Sequence, residues 1–147
     1  MPAASAAWAR PGFYIAIVGT VLWTVGYAVD IAVATAVSNW LSAPAGSEAA
    51  AHAVVTGLTA VSRGSFPTAV VVDWLAFAFL SFGMLRSAVY PRWLSWPGLV
   101  FGVAGILLGI VQVFSGREGT FNLFTVLFAL TMLWLLATGI WVARKAW

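Results

Sequence analysis

The sequence predicts an all-α integral membrane protein of four transmembrane helices with both termini on the cytoplasmic side, and three observations carry that prediction. Hydrophobic residues make up 63% of the chain and charged residues only 7%, against about 25% charged in an ordinary soluble domain. A soluble fold has no means of hiding that much apolar surface. Four stretches are long enough to cross a hydrocarbon core about 30 Å thick, which takes ~20 residues of helix. The basic residues are shared unevenly among the connecting segments. Arg10, Arg86, Arg92, Arg144 and Lys145 fall on one side, and only Arg63 and Arg117 on the other. The positive-inside rule assigns the richer side, and with it both ends of the chain, to the cytoplasm. A length of 147 residues fits one domain with short loops and no separate soluble unit.

The first span is expected over residues 13–36, after the breaker Arg10-Pro11-Gly12. A single Arg before it and Ser42-Ala43-Pro44-Ala45 after it mimic a signal peptide. The apolar run is too long for such a core and contains an acid, so it is expected to remain as a span. The second span is placed at residues 66–85, bounded by Gly64-Ser65 and Pro67. The third is placed at 97–114, between Tyr90-Pro91 with Pro97 and Ser115-Gly116, and the fourth at 123–143. Trp8, Trp40, Trp93, Trp96 and Trp147 fall near the expected interfaces, where an indole buries its ring and wets its N–H.

Between the first two spans, residues 47–63 read as an outer amphipathic helix lying on the membrane surface. Ala51, Val54, Leu58 and Val61 share one helical face, and His52, Thr56, Thr59 and Arg63 another. Ser47-Glu48 suits its start and Arg63-Gly64 its end.

Within the spans, the small residues form stripes. Gly12, Gly19 and Gly26 recur every seven residues, and Asp30 follows on the same face with Trp23 and Tyr27. Gly98, Gly102, Gly105, Gly109 and Gln112 line one seam of the third span, containing the small-xxx-small pattern twice. Ala69, Asp73, Ala76 and Gly83 share a face of the second, and Thr131 and Thr138 lie one heptad apart on the fourth. Helix packing alone accounts for every glycine and threonine in these stripes.

Asp30 and Asp73 are more demanding. An ionisable group at the centre of a span costs at least about 2.5–3.5 kcal/mol, so it faces protein or a wet cavity rather than lipid. Each span is expected to bring one polar group to the outer level: Asp30, Asp73, Gln112 and Asn122. The cytoplasmic halves carry no acid or amide, which favours an outward-opening polar pocket over a through-going pore. Trp23, Tyr27 and Trp74 would wall it, with Arg63, Arg117 and Glu118 at its rim. Two acids sharing a site would hold one proton more tightly, although a structural tie to Arg63 or Arg117 serves equally.

The segment Leu85-Arg86-Ser87, then Tyr90-Pro91-Arg92-Trp93-Leu94, then Gly98 and Gly102 in an apolar run resembles the span, basic turn and span signature of a family of uncharacterised bacterial multi-pass membrane proteins classed as a domain of unknown function. The resemblance covers the basic turn through the third span, and such proteins commonly have more than four spans. It implies the bacterial inner (plasma) membrane and no known activity, cofactor or catalytic residue. Physically, Arg86 and Arg92 meet an anionic leaflet, Pro91 fixes the turn, and Trp93 and Trp96 anchor the next helix.

Chemistry is otherwise sparse. With no cysteine, disulfides, thiol catalysis and thiolate metal sites are excluded. The one histidine, His52, lies outside every expected span, so no intramembrane haem ligand exists. No metal spacing, phosphate loop or serine nucleophile motif occurs. No catalytic residue, metal or cofactor is assigned. The basic residues form no run, so nucleic acid is not an expected partner. Three classes of function compete. The first is a non-enzymatic helical or accessory subunit of a homo-oligomer or larger membrane complex. The second is an outward-facing binding or sensing protein for a proton or a small cationic or amphipathic ligand, through Asp30 and Asp73. An intramembrane enzyme or transporter comes third, because the chain has no detectable inverted repeat.

Overall fold

Four helices account for nearly all of the computed structural model, which describes residues 3–87, 89–116 and 118–146. They are α1 (Ala3–Leu41), α2 (Glu48–Leu85), α3 (Arg92–Ser115) and α4 (Phe121–Ala146), with a 3₁₀ turn at Glu118–Thr120 leading into α4. Each is long and apolar enough to cross a membrane. The fold is all-α, and the described residues contain no strand. Large apolar side chains point outward, among them Ile17, Val21 and Val25 of α1 and Leu123, Val126, Leu133 and Leu136 of α4. Such a surface suits a lipid solvent and would be a liability in water.

The elements differ from expectation in length. The predicted surface helix over 47–63 does not exist as a separate element: it is the first half of α2, continuous with the predicted second span. Gly64 and Pro67 fail to end it because neither local cost meets a competing structure. Nothing approaches Gly64, and Pro67 costs the one bond that an N–H there would have made to the Arg63 carbonyl, while the hydroxyls of Ser65 and Thr68 donate to the neighbouring carbonyls of Ser62 and Gly64. The face turned inward is also rotated. Ala51, Val55, Leu58 and Ser62 are half-buried, whereas Val54 and Val61 are exposed.

Pro11 and Pro97 likewise lie inside α1 and α3, which begin earlier than predicted. Pro11 is the ninth residue of α1 and Pro97 the sixth of α3, so each lies past the first turn and removes one intrahelical bond, to the carbonyls of Ala7 and Trp93, without ending its helix. Real ends come where the backbone changes region. Pro44 and Gly46, at φ 93°, turn the chain after α1, while Gly116, at φ 77°, ends α3. The Gly116 N–H still donates to the Gln112 carbonyl, and positive φ makes glycine the natural residue there.

Alpha-helix 2 is the hub. It packs along α1 on one side and α3 on another, while α4 touches α3 more sparsely. Against α1 the register is antiparallel: Gly12 faces Leu80, Gly19 faces Asp73, Asp30 faces Ser62 and Trp40 faces His52. Against α3, Gly98 meets Ser81, Gly102 meets Ala78, Gly105 meets the Trp74 ring and Gly109 meets Val71. The third-span stripe is thus consumed inside the chain. Alpha-helix 4 reaches α2 through large rings, with Phe124 and Phe128 near Trp74, and Trp134 near Phe77. The Trp134 indole N–H donates to the Leu94 carbonyl at 2.6 Å, tying α4 to the start of α3.

These registers gather Arg10, Arg86, Arg92, Arg144 and Lys145 at one end of the bundle, the basic end. At the opposite, hairpin end, α1 and α2 continue past α3. Thr59 and Arg63 of α2 are level with the last residues of α3, so residues 48–58 of α2, about 16 Å of helix, project beyond it paired with the end of α1.

Candidate functional site

The residues expected to form one polar pocket occupy three separate places. Asp30 lies at the hairpin end, half-buried between α1 and α2, where Ser62 Oγ donates to its Oδ1 at 2.5 Å. Trp23, Gly26, Tyr27, Ser65, Phe66 and Ala69 line the same narrow cleft. Tyr27 is nevertheless largely exposed, and Trp23 lies between it and Phe66, tilted to the first ring and edge-on to the second.

Asp73 lies about 16 Å deeper. Gly19 and Asp30 are eleven positions apart on α1, as are Ser62 and Asp73 on α2, and helical rise converts that spacing to depth. The acids therefore do not share a site, and coupled protonation between them is set aside. The helical period gave each acid an inward direction, but only the interhelical register sets their relative height. Asp73 is halfway between Arg63, level with the end of α3, and the basic end near residue 85. Its carboxylate covers Gly19, whose missing side chain makes the room, and the Trp23 indole N–H is directed to it. Gly26, by contrast, has open space around it.

Gln112 belongs to a third place. It is 2% exposed, and neither Oε1 nor Nε2 has a hydrogen-bond partner among the described residues. With Thr59, Arg63, Val113, Phe114, Ser115 and Gly116 it lines a cleft of about 530 Å³ between α2 and the end of α3. Trp74 is no pocket wall but part of the core, buried against Phe77, Phe124 and Phe128. Asn122 is exposed at the start of α4. Arg117 lies outside the described residues. Sequence reasoning placed Arg63 at the rim of a pocket containing both acids; the structure sets it beside Gln112 instead. No group of three or more metal-ligating side chains occurs among the described residues.

Substitution at Gly19 tests the Asp73 contact. A methyl there would overlap the carboxylate, so Gly19→Ala is expected to destabilise the α1–α2 pair, and Asp73→Ala should relieve the clash. A double-mutant cycle read by reversible detergent unfolding should give a coupling of about 1–2 kcal/mol. Strict additivity would mean that the two residues do not touch.

The fold and these sites define a class, a multi-pass helical membrane protein with an open bundle, one long helical hairpin and polar side chains between its helices. No protein-family model, curated protein or solved structure matches the chain.

Proposed function

We propose that this chain is a small non-enzymatic subunit of the inner (plasma) membrane, with both termini cytoplasmic, that joins a homo-oligomer or a larger membrane assembly through the projecting part of its α1–α2 hairpin. The observation that carries this reading is apolar surface in the wrong place. Twenty residues counted from the basic end exhaust a bilayer core near residue 64 of α2, yet the helices continue beyond it. There Leu41 and Val54 are exposed, and Ala32, Thr35, Ala36, Asn39, Ala51 and Val54 line an open groove. Apolar surface that stands in water is characteristic of a site another protein covers. The glycine seam of α3 is already occupied by α2.

The absence of cysteine allows the test to be made with single introduced thiols. Ala53→Cys on the projection should react with an impermeant reagent added from outside and cross-link to a neighbouring chain in native membranes. Val89→Cys, at the basic turn, should be protected. Native mass spectrometry in mild detergent should show more than one chain per particle. A monomer without cross-links would overturn the subunit reading, and labelling of Val89→Cys from outside would overturn the orientation.

A proton-binding role for Asp73 is the second reading. It is favoured by an acid held halfway along two apolar helices with an indole donor beside it, since intramembrane acids mark relay and ligand sites. An infrared carboxyl band that titrates with pH and vanishes in Asp73→Asn is the expected result.

A further inference from the structure

We propose that the cleft between α2 and the end of α3 binds the headgroup of an anionic glycerol-bearing phospholipid, phosphatidylglycerol in chemistry. Arg63 would meet the phosphodiester, and Gln112 the headgroup glycerol. Four observations converge on it.

Among the described residues the cleft is lined by one cationic side chain, Arg63, with Thr59, Gln112 and Ser115, and its volume of about 530 Å³ admits a phosphoglycerol group. Guanidinium is the side chain best matched to phosphate, through two parallel charge-assisted hydrogen bonds. The cleft also stands at the level where a bilayer measured from the basic end stops, the depth of lipid phosphates. Val113 and Phe114 form its remaining wall, and Phe114 is 85% exposed. An acyl chain lying on that wall favours a lipid over a free phosphate ion.

Gln112 supplies the selectivity. Its side chain is buried with both amide atoms unbonded among the described residues, a costly state, and polar groups so placed call for a partner. The amide offers donors on Nε2 and an acceptor on Oε1. A hydroxyl can satisfy both, because it donates and accepts. The ammonium of an ethanolamine headgroup only donates and would satisfy Oε1 alone. The other hydroxyls of the cleft have their protons engaged, Thr59 on the Val55 carbonyl and Ser115 on the Val111 carbonyl, and can only accept, from a headgroup hydroxyl and an ammonium alike. Selection between headgroups therefore falls to Gln112, and retention of phosphate to Arg63.

The test is titration of the delipidated full chain in mild detergent, followed by native mass spectrometry, with phosphatidylglycerol, phosphatidylethanolamine and inorganic phosphate as separate probes. The wild type should retain phosphatidylglycerol about tenfold more tightly than phosphatidylethanolamine, one hydrogen-bonded group's worth of free energy. Arg63→Gln should weaken both lipids by about tenfold or more. Gln112→Leu, an apolar replacement of similar size that leaves no buried amide, should keep the helical signal and melting temperature while abolishing the preference. Equal retention of the two lipids by wild type would overturn the proposal. So would inorganic phosphate displacing phosphatidylglycerol at equal concentration, or an undiminished preference in Gln112→Leu.

Discussion

Gly102→Ala should cost the bundle about 1–3 kcal/mol, the range for forcing extra volume into a packed site, and Gly102→Leu should prevent α2 and α3 from closing at all. The expectation rests on what the added atom meets. A Cβ at Gly102 would lie 2.6 Å from the Ala78 backbone nitrogen and 2.8 Å from its Cα. Main chain cannot rotate out of the way as a side chain does, so the two helices must separate. In lipid this matters more than in water, because close packing rather than exclusion of solvent holds membrane helices together. Gly26 and Gly139 are the controls, since nothing lies within 4 Å of the missing side chain at either. Alanine there should be neutral or stabilising by up to about 1 kcal/mol through helix propensity. Reversible unfolding in mixed micelles, followed by circular dichroism, reads all of them. Equal effects at Gly102 and Gly26 would show that the α2–α3 seam is not packed as described.

Trp74→Ala should be comparably severe, at about 3 kcal/mol. Trp74 is 1% exposed, lies over Gly105 and meets Phe77, Phe124 and Phe128, so truncation empties the centre of the α2, α3 and α4 contact. A soluble core charges about 3–5 kcal/mol for such a change. The lower end is expected here because an unfolded Trp74 would still face apolar lipid, leaving mainly the cavity and lost dispersion. The indole N–H has no partner among the described residues, so Trp74→Phe should recover most of the loss. Trp134→Phe should not behave in the same way, since it gives up the 2.6 Å bond to the Leu94 carbonyl. The same unfolding measurement ranks the three variants.

Legibility differed by the range of the interaction. Helical class and span number were readable because hydropathy and length act on each segment alone. The breakers at Pro91 and Gly116 were readable for the same reason: each fixes its own backbone. Arg10-Pro11-Gly12 and Gly64-Ser65 carried equally strong local signals, yet both were overridden. Gly12 packs on Leu80 and Ala76, Ser62 binds Asp30, and these contacts across the hairpin continue both helices through their weak points. Propensity is a small term beside an interhelical seam.

The polar residues show the boundary most clearly. By itself the sequence determined that Asp30, Asp73 and Gln112 turn away from lipid, because the period of a helix and the cost of an unsatisfied polar group in hydrocarbon need no knowledge of neighbours. Only the tertiary structure decided which of them meet. The α1–α2 register sets Asp30 against Ser62 and Asp73 against Gly19, and the α2–α3 register leaves Gln112 beside Arg63. Register depends on which small residue on one helix admits which large side chain on another, a pairwise property that no single segment contains.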